Sequence, residues 1–192
     1  MKAQETYSDL EERELVVAAQ GGDLAAFKEI YDRFRDRVYN LAYYSFGESL
    51  AAEDLLQIVF MKVHRALPTF RFESSLATWI YRIALNECLN QNRRRAAQHV
   101  PLEAILGSGD EIDARPTPDD KHMRNQRREI IRQAVMELSP KLRAVVVLKY
   151  LEGLSYEEVA AVLECAPGTV ASRLNRALAQ MEARLRPLRR LL

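Results

Sequence analysis

A handful of side chains in the last third of the sequence have the chemistry of a DNA reader. In residues 155–177, SYEEVAAVLECAPGTVASRLNRA, the residues Thr169, Ser172, Arg173 and Arg176 share one side of a helix at i, i+3, i+4 and i+7. Short hydroxyls and guanidiniums are the groups that contact phosphates and base edges in a major groove. The elements that must position them are legible nearby. Ser155 and Glu158 have capping-box spacing and open a short helix to Leu163. Glu164-Cys165-Ala166 reads as a tight turn, and Pro167 and Thr169 open a second helix. Ala160 is small where the two helices cross, and Val159, Leu163, Val170 and Leu174 supply a shared core. The alternative is a helical hairpin that only packs, but caps, turn, crossing residue and polar face all agree on a DNA-binding helix-turn-helix.

A second constellation occupies residues 70–95, FRFESSLATWIYRIALNECLNQNRRR. It mixes the aromatics Phe70, Phe72, Trp79 and Tyr81 with Asn86, Asn90, Gln91 and Asn92 and with arginines, including Arg93, Arg94 and Arg95. Aromatic faces stack on unpaired bases while arginines follow the phosphate backbone. Taken alone, the same residues also suit an ordinary core helix with a basic C-terminus. A third segment, AEDLLQIVF at 52–60, sets Asp54 and Gln57 on one helix face beside apolar positions. That is a protein-docking face or simply an amphipathic helix.

Signs of catalysis are missing from the pattern. His64, His99 and His122 are scattered, and the sequence has no HExxH, GxSxG or phosphate-loop motif. Cys88 and Cys165 lie far apart, which excludes a disulfide scaffold and a CxxC site; Cys165 reads as a small apolar filler of its turn. No metal site and no cofactor are expected. The 192 residues are 48% apolar and 29% charged, the composition of a packed protein. No apolar run is long enough for a membrane span, so no membrane insertion is expected. The opening MKAQETYSDLEEREL has no apolar core of a secretory signal, so the expected compartment is the cytoplasm.

Net charge is +1, but its distribution is uneven. Residues 1–95 carry −1, residues 96–123 carry −4 and residues 124–192 carry +6, which points the last segment toward a polyanion. Periodicity is helical nearly throughout. Ser8 and Glu11 offer a capping box, Gly21-Gly22-Asp23 a break, and Phe27, Ile30, Tyr31, Phe34, Val38 and Leu41 one face of a long helix. Gly47-Glu48-Ser49 breaks again before Leu55, Leu56, Val59, Phe60 and Val63. A helix over about 76–92 places Trp79, Ile80, Ile83 and Leu89 in its core. Residues 96–123, with Pro101, Gly107, Gly109, Pro116 and Pro118, read as an acidic flexible linker. Helix resumes over 124–137, then after Ser139-Pro140, and ends with the stripe Val170, Leu174, Ala177, Leu178, Met181 and Leu185. The expected fold is all-α: two small helical domains, 1–95 and 124–192, joined by that linker.

In order and spacing, AEDLLQIVF, SSLATWIYRIALN and LSPKLRAVVVLKYLEGLSYEEVAAVLECAPGTVASRLNRA resemble an extracytoplasmic-function sigma factor of bacterial RNA polymerase, of the sigma-E-like group. The resemblance spans about residues 10–185. It implies that 1–95 is sigma region 2 and 124–192 is sigma region 4. Region 4 then docks in the minus-thirty-five element through Thr169, Ser172, Arg173, Asn175 and Arg176. Region 2 captures unpaired minus-ten bases, with Asn86 lining a pocket beside Ala66, Phe70, Trp79, Arg82 and Ile83. The loop of about 69–75 forms its wall, and Arg93, Arg94 and Arg95 hold phosphates. Asp54, Leu55 and Gln57 anchor core RNA polymerase, and the linker threads toward the RNA exit path. The partners implied are core polymerase, promoter DNA and an anti-sigma factor touching Leu56, Phe60 and the exposed face of the C-terminal domain; the free protein is expected to be a monomer.

Departures from the family pattern are Ile58 after Gln57 where an acid is usual, Ala171 and Leu178 where basic residues are common, and Asn90 where an aspartate is common. Fewer phosphate contacts imply a shallower salt dependence of DNA binding. The competing reading is a dimeric helix-turn-helix regulator that acts on a palindromic site without polymerase. It has no use for the aromatic and amide segment at 70–95. An all-α enzyme or a scaffold is the remaining class, and it lacks a clustered acid/base or metal set.

Overall fold

The computed structural model describes residues 11–97 and 118–188. Most of the expected linker, and Ser8, lie outside the described residues. The chain divides into two compact units, Met1–Ala42 with Leu50–Gln98 and Tyr43–Ser49 with His99–Leu192. Among the described residues there are eight α-helices and no strand.

Helix α1 (Glu12–Gln20) starts at Glu11, which makes no side-chain cap bond. Glu12 and Glu14 favour the helix N-terminus electrostatically. Gly22, at φ +93°, turns the chain, and Asp23 caps α2 (Leu24–Phe46): its Oδ1 accepts from the Ala25 and Ala26 N–H groups at 2.8 and 3.1 Å. Ile30, Phe34, Val38 and Leu41 of α2 are buried as the periodicity predicts. Helix α3 (Ser49–Ala66) buries Ala52, Leu55, Val59, Phe60 and Val63, and ends in a 3-10 turn, Leu67–Thr69.

Helix α4 (Leu76–Ala97) begins at Ser75, whose hydroxyl accepts from the Thr78 N–H at 3.1 Å. Its core seam differs from the expected one. Ile80, Tyr81, Ala84, Leu85 and Cys88 are buried, whereas Trp79, Ile83 and Leu89 are half-buried. Apolar residues occur all round this helix, so periodicity alone could not say which side faces inward. The buried Glu87 pairs with Lys62 of α3 and ties the two helices together.

In the second unit, α5 (Pro118–Met136) starts at Pro118 rather than 124. A proline at the first helical position followed by Asp119 and Asp120 is a sound helix start that the acidic composition disguised as linker. Helix α6 (Pro140–Val146) continues into a π-helical turn, Val147–Leu151, which Gly153 ends at φ +72°. Arg143 lies across the start of α6; its Nη2 donates to the Met136 and Leu138 carbonyls, the latter at 3.0 Å. Helices α7 (Tyr156–Val162) and α8 (Pro167–Leu185) follow. Val145, Leu148, Val159, Ala160, Val162, Val170, Leu174 and Ala177 fill the core. Val162 takes the core place expected for Leu163, which is half-buried. The seam on α8 stops at Ala177: Leu178 is 41% exposed, and Met181 and Leu185 are half-buried.

Candidate nucleic-acid interfaces

The helix-turn-helix is built as its sequence dictates. At the start of α7 the Ser155 Oγ accepts from the Glu158 N–H at 3.1 Å, and Glu158 Oε2 accepts from the Ser155 N–H at 2.8 Å, a complete capping box. At its end Glu164 adopts φ +49° and the Cys165 N–H donates to the Ala160 carbonyl at 3.0 Å. That 6→1 bond closes the turn in the manner of a Schellman motif, here without glycine. Ala166 caps α8 with Pro167 at its first position. A Cβ at Gly168 meets nothing within 4 Å, so the start of α8 is sterically open.

On α8, Ser172, Asn175 and Arg176 are exposed and Thr169 is half-buried. Arg173 departs from the outward-facing expectation. It is half-buried, and its Nη1 lies 3.9 Å from the Cys165 sulfur, turned back onto the turn. The Ser172 hydroxyl donates to the Thr169 carbonyl at 3.0 Å and retains its lone pairs toward solvent.

The second interface lies on α4 and the loop before it. Trp79, Arg82, Ile83, Asn86, Asn90 and Arg93 fall at i, i+3, i+4, i+7, i+11 and i+14 and form the side of α4 turned away from its buried seam. Asn86, Asn90, Arg93, Arg94 and Arg95 are exposed; Trp79, Arg82 and Ile83 are half-buried. Ala66, half-buried, ends α3, and its carbonyl accepts from the Thr69 hydroxyl at 2.8 Å. Phe70 is only 8% exposed, so it supports the loop from beneath rather than offering a free face to a base. Its ring lies between Phe72 and Trp79 and is tilted to both, with centroids 5.0 and 4.9 Å away.

Three further residues touch this loop, and sequence reasoning missed all of them. The Gln20 Nε2 donates to the carbonyls of Leu67 at 3.0 Å and Phe70 at 2.8 Å. The Arg13 guanidinium lies 4.8 Å over the Phe72 ring. Glu12 Oε1 accepts from the Leu76 N–H at 3.0 Å. Contacts across 47 to 64 residues of sequence leave no local signal.

On α3, Glu53, Asp54 and Gln57 are exposed between Leu50 at 77% and Met61 at 55% exposure, an acidic and amide face rimmed by apolar groups. Leu55 is fully buried and Phe60 is 5% exposed. Neither has surface to give a partner: the α3 seam that packs inward uses both, and the Phe60 ring sits 4.7 Å from Tyr31. Among the described residues no group of His, Cys, Asp or Glu is placed to hold a metal, and no helix is long and apolar enough to cross a membrane.

The comparisons agree with this layout. Residues 30–98 match the model of sigma-70 region 2, and residues 128–181 match that of sigma-70 region 4. The chain is 35% identical over 187 residues to the ECF RNA polymerase sigma-E factor of Escherichia coli, covering 93% of this chain and 96% of that one. It is 33% identical over 186 residues to the RNA polymerase sigma-H factor of Pseudomonas aeruginosa, covering 94% and 96%. Two solved structures are similar at 26% identity. CnrH in complex with the cytosolic domain of CnrY gives a TM-score of 0.67 over 92% of this chain and 97% of that one. The sigma factor RpoE in complex with the anti-sigma factor NepR from Bartonella quintana gives 0.68 over 83% and 96%. These are not enzymes by family. With region 2 carrying the α4 stripe, region 4 carrying the helix-turn-helix, and a relative of this identity along nearly its whole length, the chain belongs to the extracytoplasmic-function sigma factors of bacterial RNA polymerase.

Proposed function

We propose that this sigma factor acts in the cytoplasm, binding core RNA polymerase through the exposed α3 face at Asp54 and Gln57. It brings the enzyme to its promoters by two different readings of DNA. The α8 face at Thr169, Ser172, Asn175 and Arg176 reads the minus-thirty-five element as duplex, with Arg173 released from Cys165 to join it. The α4 stripe reads the minus-ten element as single strand. Extruding a base costs a few kcal/mol, which a fitted pocket at Asn86, Arg82 and Ile83 offsets, while Arg93, Arg94 and Arg95 hold the strand by its phosphates. Residues 1–95 and 124–192 serve as the two functional domains.

The observation that carries this reading is the stripe itself. A duplex-only regulator has no need of a half-buried tryptophan, exposed amides and arginines along one helix side. The solved relative bound to the anti-sigma factor NepR, with CnrH bound to the cytosolic domain of CnrY beside it, supports an anti-sigma partner here. Half-buried Leu56 and exposed Tyr150 and Leu151 offer it apolar surface.

Run-off transcription with core polymerase from the organism of origin, on fragmented genomic DNA, tests the proposal. New start sites that require the protein support it, and their alignment gives both promoter elements. An Asn86→Ala variant then loses promoter opening while keeping upstream binding. No new starts, together with tight palindromic binding by the protein alone, favours the dimeric regulator instead.

A further inference from the structure

We infer that α1 is a brace for the base-capture loop, with Glu12, Arg13 and Gln20 as positioning residues for minus-ten recognition. The inference rests on the reading of the loop at 69–75 as the wall of the single-strand pocket.

The loop cannot hold its own shape. Between the 3-10 turn ending at Thr69 and the start of α4 at Leu76 it has no regular backbone pairing. At its centre Phe72 sits at φ +59°, a region bulky side chains avoid. Such a conformation persists only where its surroundings over-determine it. Beside Phe70, which packs on the Phe72 ring, the long-range part of those surroundings comes from α1. Gln20 gathers the Leu67 and Phe70 carbonyls at the entry to the loop. Arg13 covers the Phe72 ring at the middle. Glu12 takes the Leu76 N–H at the exit, sharing the cap of α4 with Ser75.

Arg13 and Gln20 are two helical turns apart, on one side of α1 and about 10 Å along its axis, so the helix spans the loop like a splint. The splint is itself fixed: Leu15 and Val16 of α1 are completely buried. Through Phe72 the chain of contacts continues to Phe70 and Trp79, the first residue of the α4 stripe. A pocket that must offset base unstacking gains from being formed beforehand, because no ordering cost then falls on the capture step. These three residues therefore govern base capture without needing to touch the base.

The test uses holoenzyme and fork-junction DNA from the promoters found by run-off transcription, with the minus-ten non-template strand unpaired. Binding to the native strand is compared with binding to one carrying a single changed base. Gln20→Glu keeps the shape and sets a carboxylate oxygen against two carbonyls. Arg13→Ala removes an exposed side chain, so folding is spared. We expect Gln20→Glu to cut discrimination between the two strands about tenfold, the worth of two hydrogen bonds, and Arg13→Ala to cut it a few-fold. Minus-thirty-five duplex binding and core binding stay within about twofold, as the α3 and α8 faces are untouched. If both variants keep full discrimination while Asn86→Ala loses it, the brace is wrong and the pocket reading stands. If Asn86→Ala also keeps it, the pocket reading falls and takes the brace with it. Equal loss of discrimination, core binding and duplex binding marks a merely structural role and overturns the inference.

Discussion

Among the described residues, the non-glycine positions in left-handed backbone are Phe72 and Glu164, one in each DNA-reading region. They are held in opposite ways. Glu164 follows α7 and is fixed by the Cys165 to Ala160 hydrogen bond, all within a few residues. Phe72 is fixed by Arg13 and Phe70 and by a loop whose ends are tied to Gln20 and Glu12, far back in the chain. The difference follows from the two recognition tasks. Reading duplex DNA needs one rigid helix that protrudes, and a local motif supplies that. Capturing an unpaired base needs a concave site, and a concave site is assembled from segments distant in sequence.

The largest expected effect breaks one region and spares the other. Leu174 is 1% exposed between the helices of the helix-turn-helix. Leu174→Ala removes that contact and leaves a cavity, at a cost of about 2–5 kcal/mol to the second unit. Calorimetry should show region 4 unfolding earlier, with minus-thirty-five binding lost at temperatures where fork-junction binding by region 2 persists. A single unfolding transition shifted as a whole would show instead that the two regions unfold together.

Phe72→Gly comes next and addresses the capture loop. Glycine relieves the backbone strain, about 1–2 kcal/mol, but frees the unfolded chain by up to about 1 kcal/mol and removes a half-buried ring from Phe70 and Arg13, worth about 1–3 kcal/mol. Region 2 should therefore lose about 1 kcal/mol yet stay folded at 25 °C, where promoter opening, read by permanganate reactivity of the melted strand, falls about tenfold. Full opening wherever region 2 is folded would make the ring a packing element only. Smaller again is Ser155→Ala, which deletes half of the α7 capping box and should cost region 4 about 1 kcal/mol in thermal unfolding, with minus-thirty-five affinity unchanged at 25 °C.

What the sequence revealed divides along the same line. Ser155, Glu158, Ala160, Pro167 and the α8 polar face are all local features, and the helix-turn-helix was readable from them to within a residue or two. The α4 stripe was readable as chemistry but not as orientation. With apolar residues on every side, only tertiary packing decides that Ile80, Ala84 and Leu85 go in and that Trp79 and Ile83 stay half-buried. Leu55 comes to the docking face through the family resemblance, while the helical stripe groups it with Val59 and Val63, which share its burial. Arg173 could not be seen turning toward Cys165, because a helical wheel gives a Cβ direction and a long side chain has several turns of freedom beyond it. The α1 contacts had no signal at all, since Gln20 beside two glycines reads as a polar helix end.

Glu164→Gly gives the smallest effect and the sharpest contrast with Phe72. Here the side chain is exposed and the strained backbone ends α7. Glycine occupies the left-handed region without steric cost. The gain is about 1–2 kcal/mol of relieved strain, less the added freedom of the unfolded chain and any exposed polar contact of the carboxylate, each up to about 1 kcal/mol. The net should be a few tenths of a kcal/mol of added stability in region 4, seen as a higher midpoint in urea at unchanged slope, with minus-thirty-five affinity the same. The same chemical change, a left-handed residue to glycine, then leaves DNA reading intact in one region and impairs it in the other. If Glu164→Gly instead weakens minus-thirty-five binding, the turn is more than a helix stop. The carboxylate would then be setting the angle of α8, and the duplex-reading region would depend on a specific side chain at its turn as the capture loop depends on Phe72.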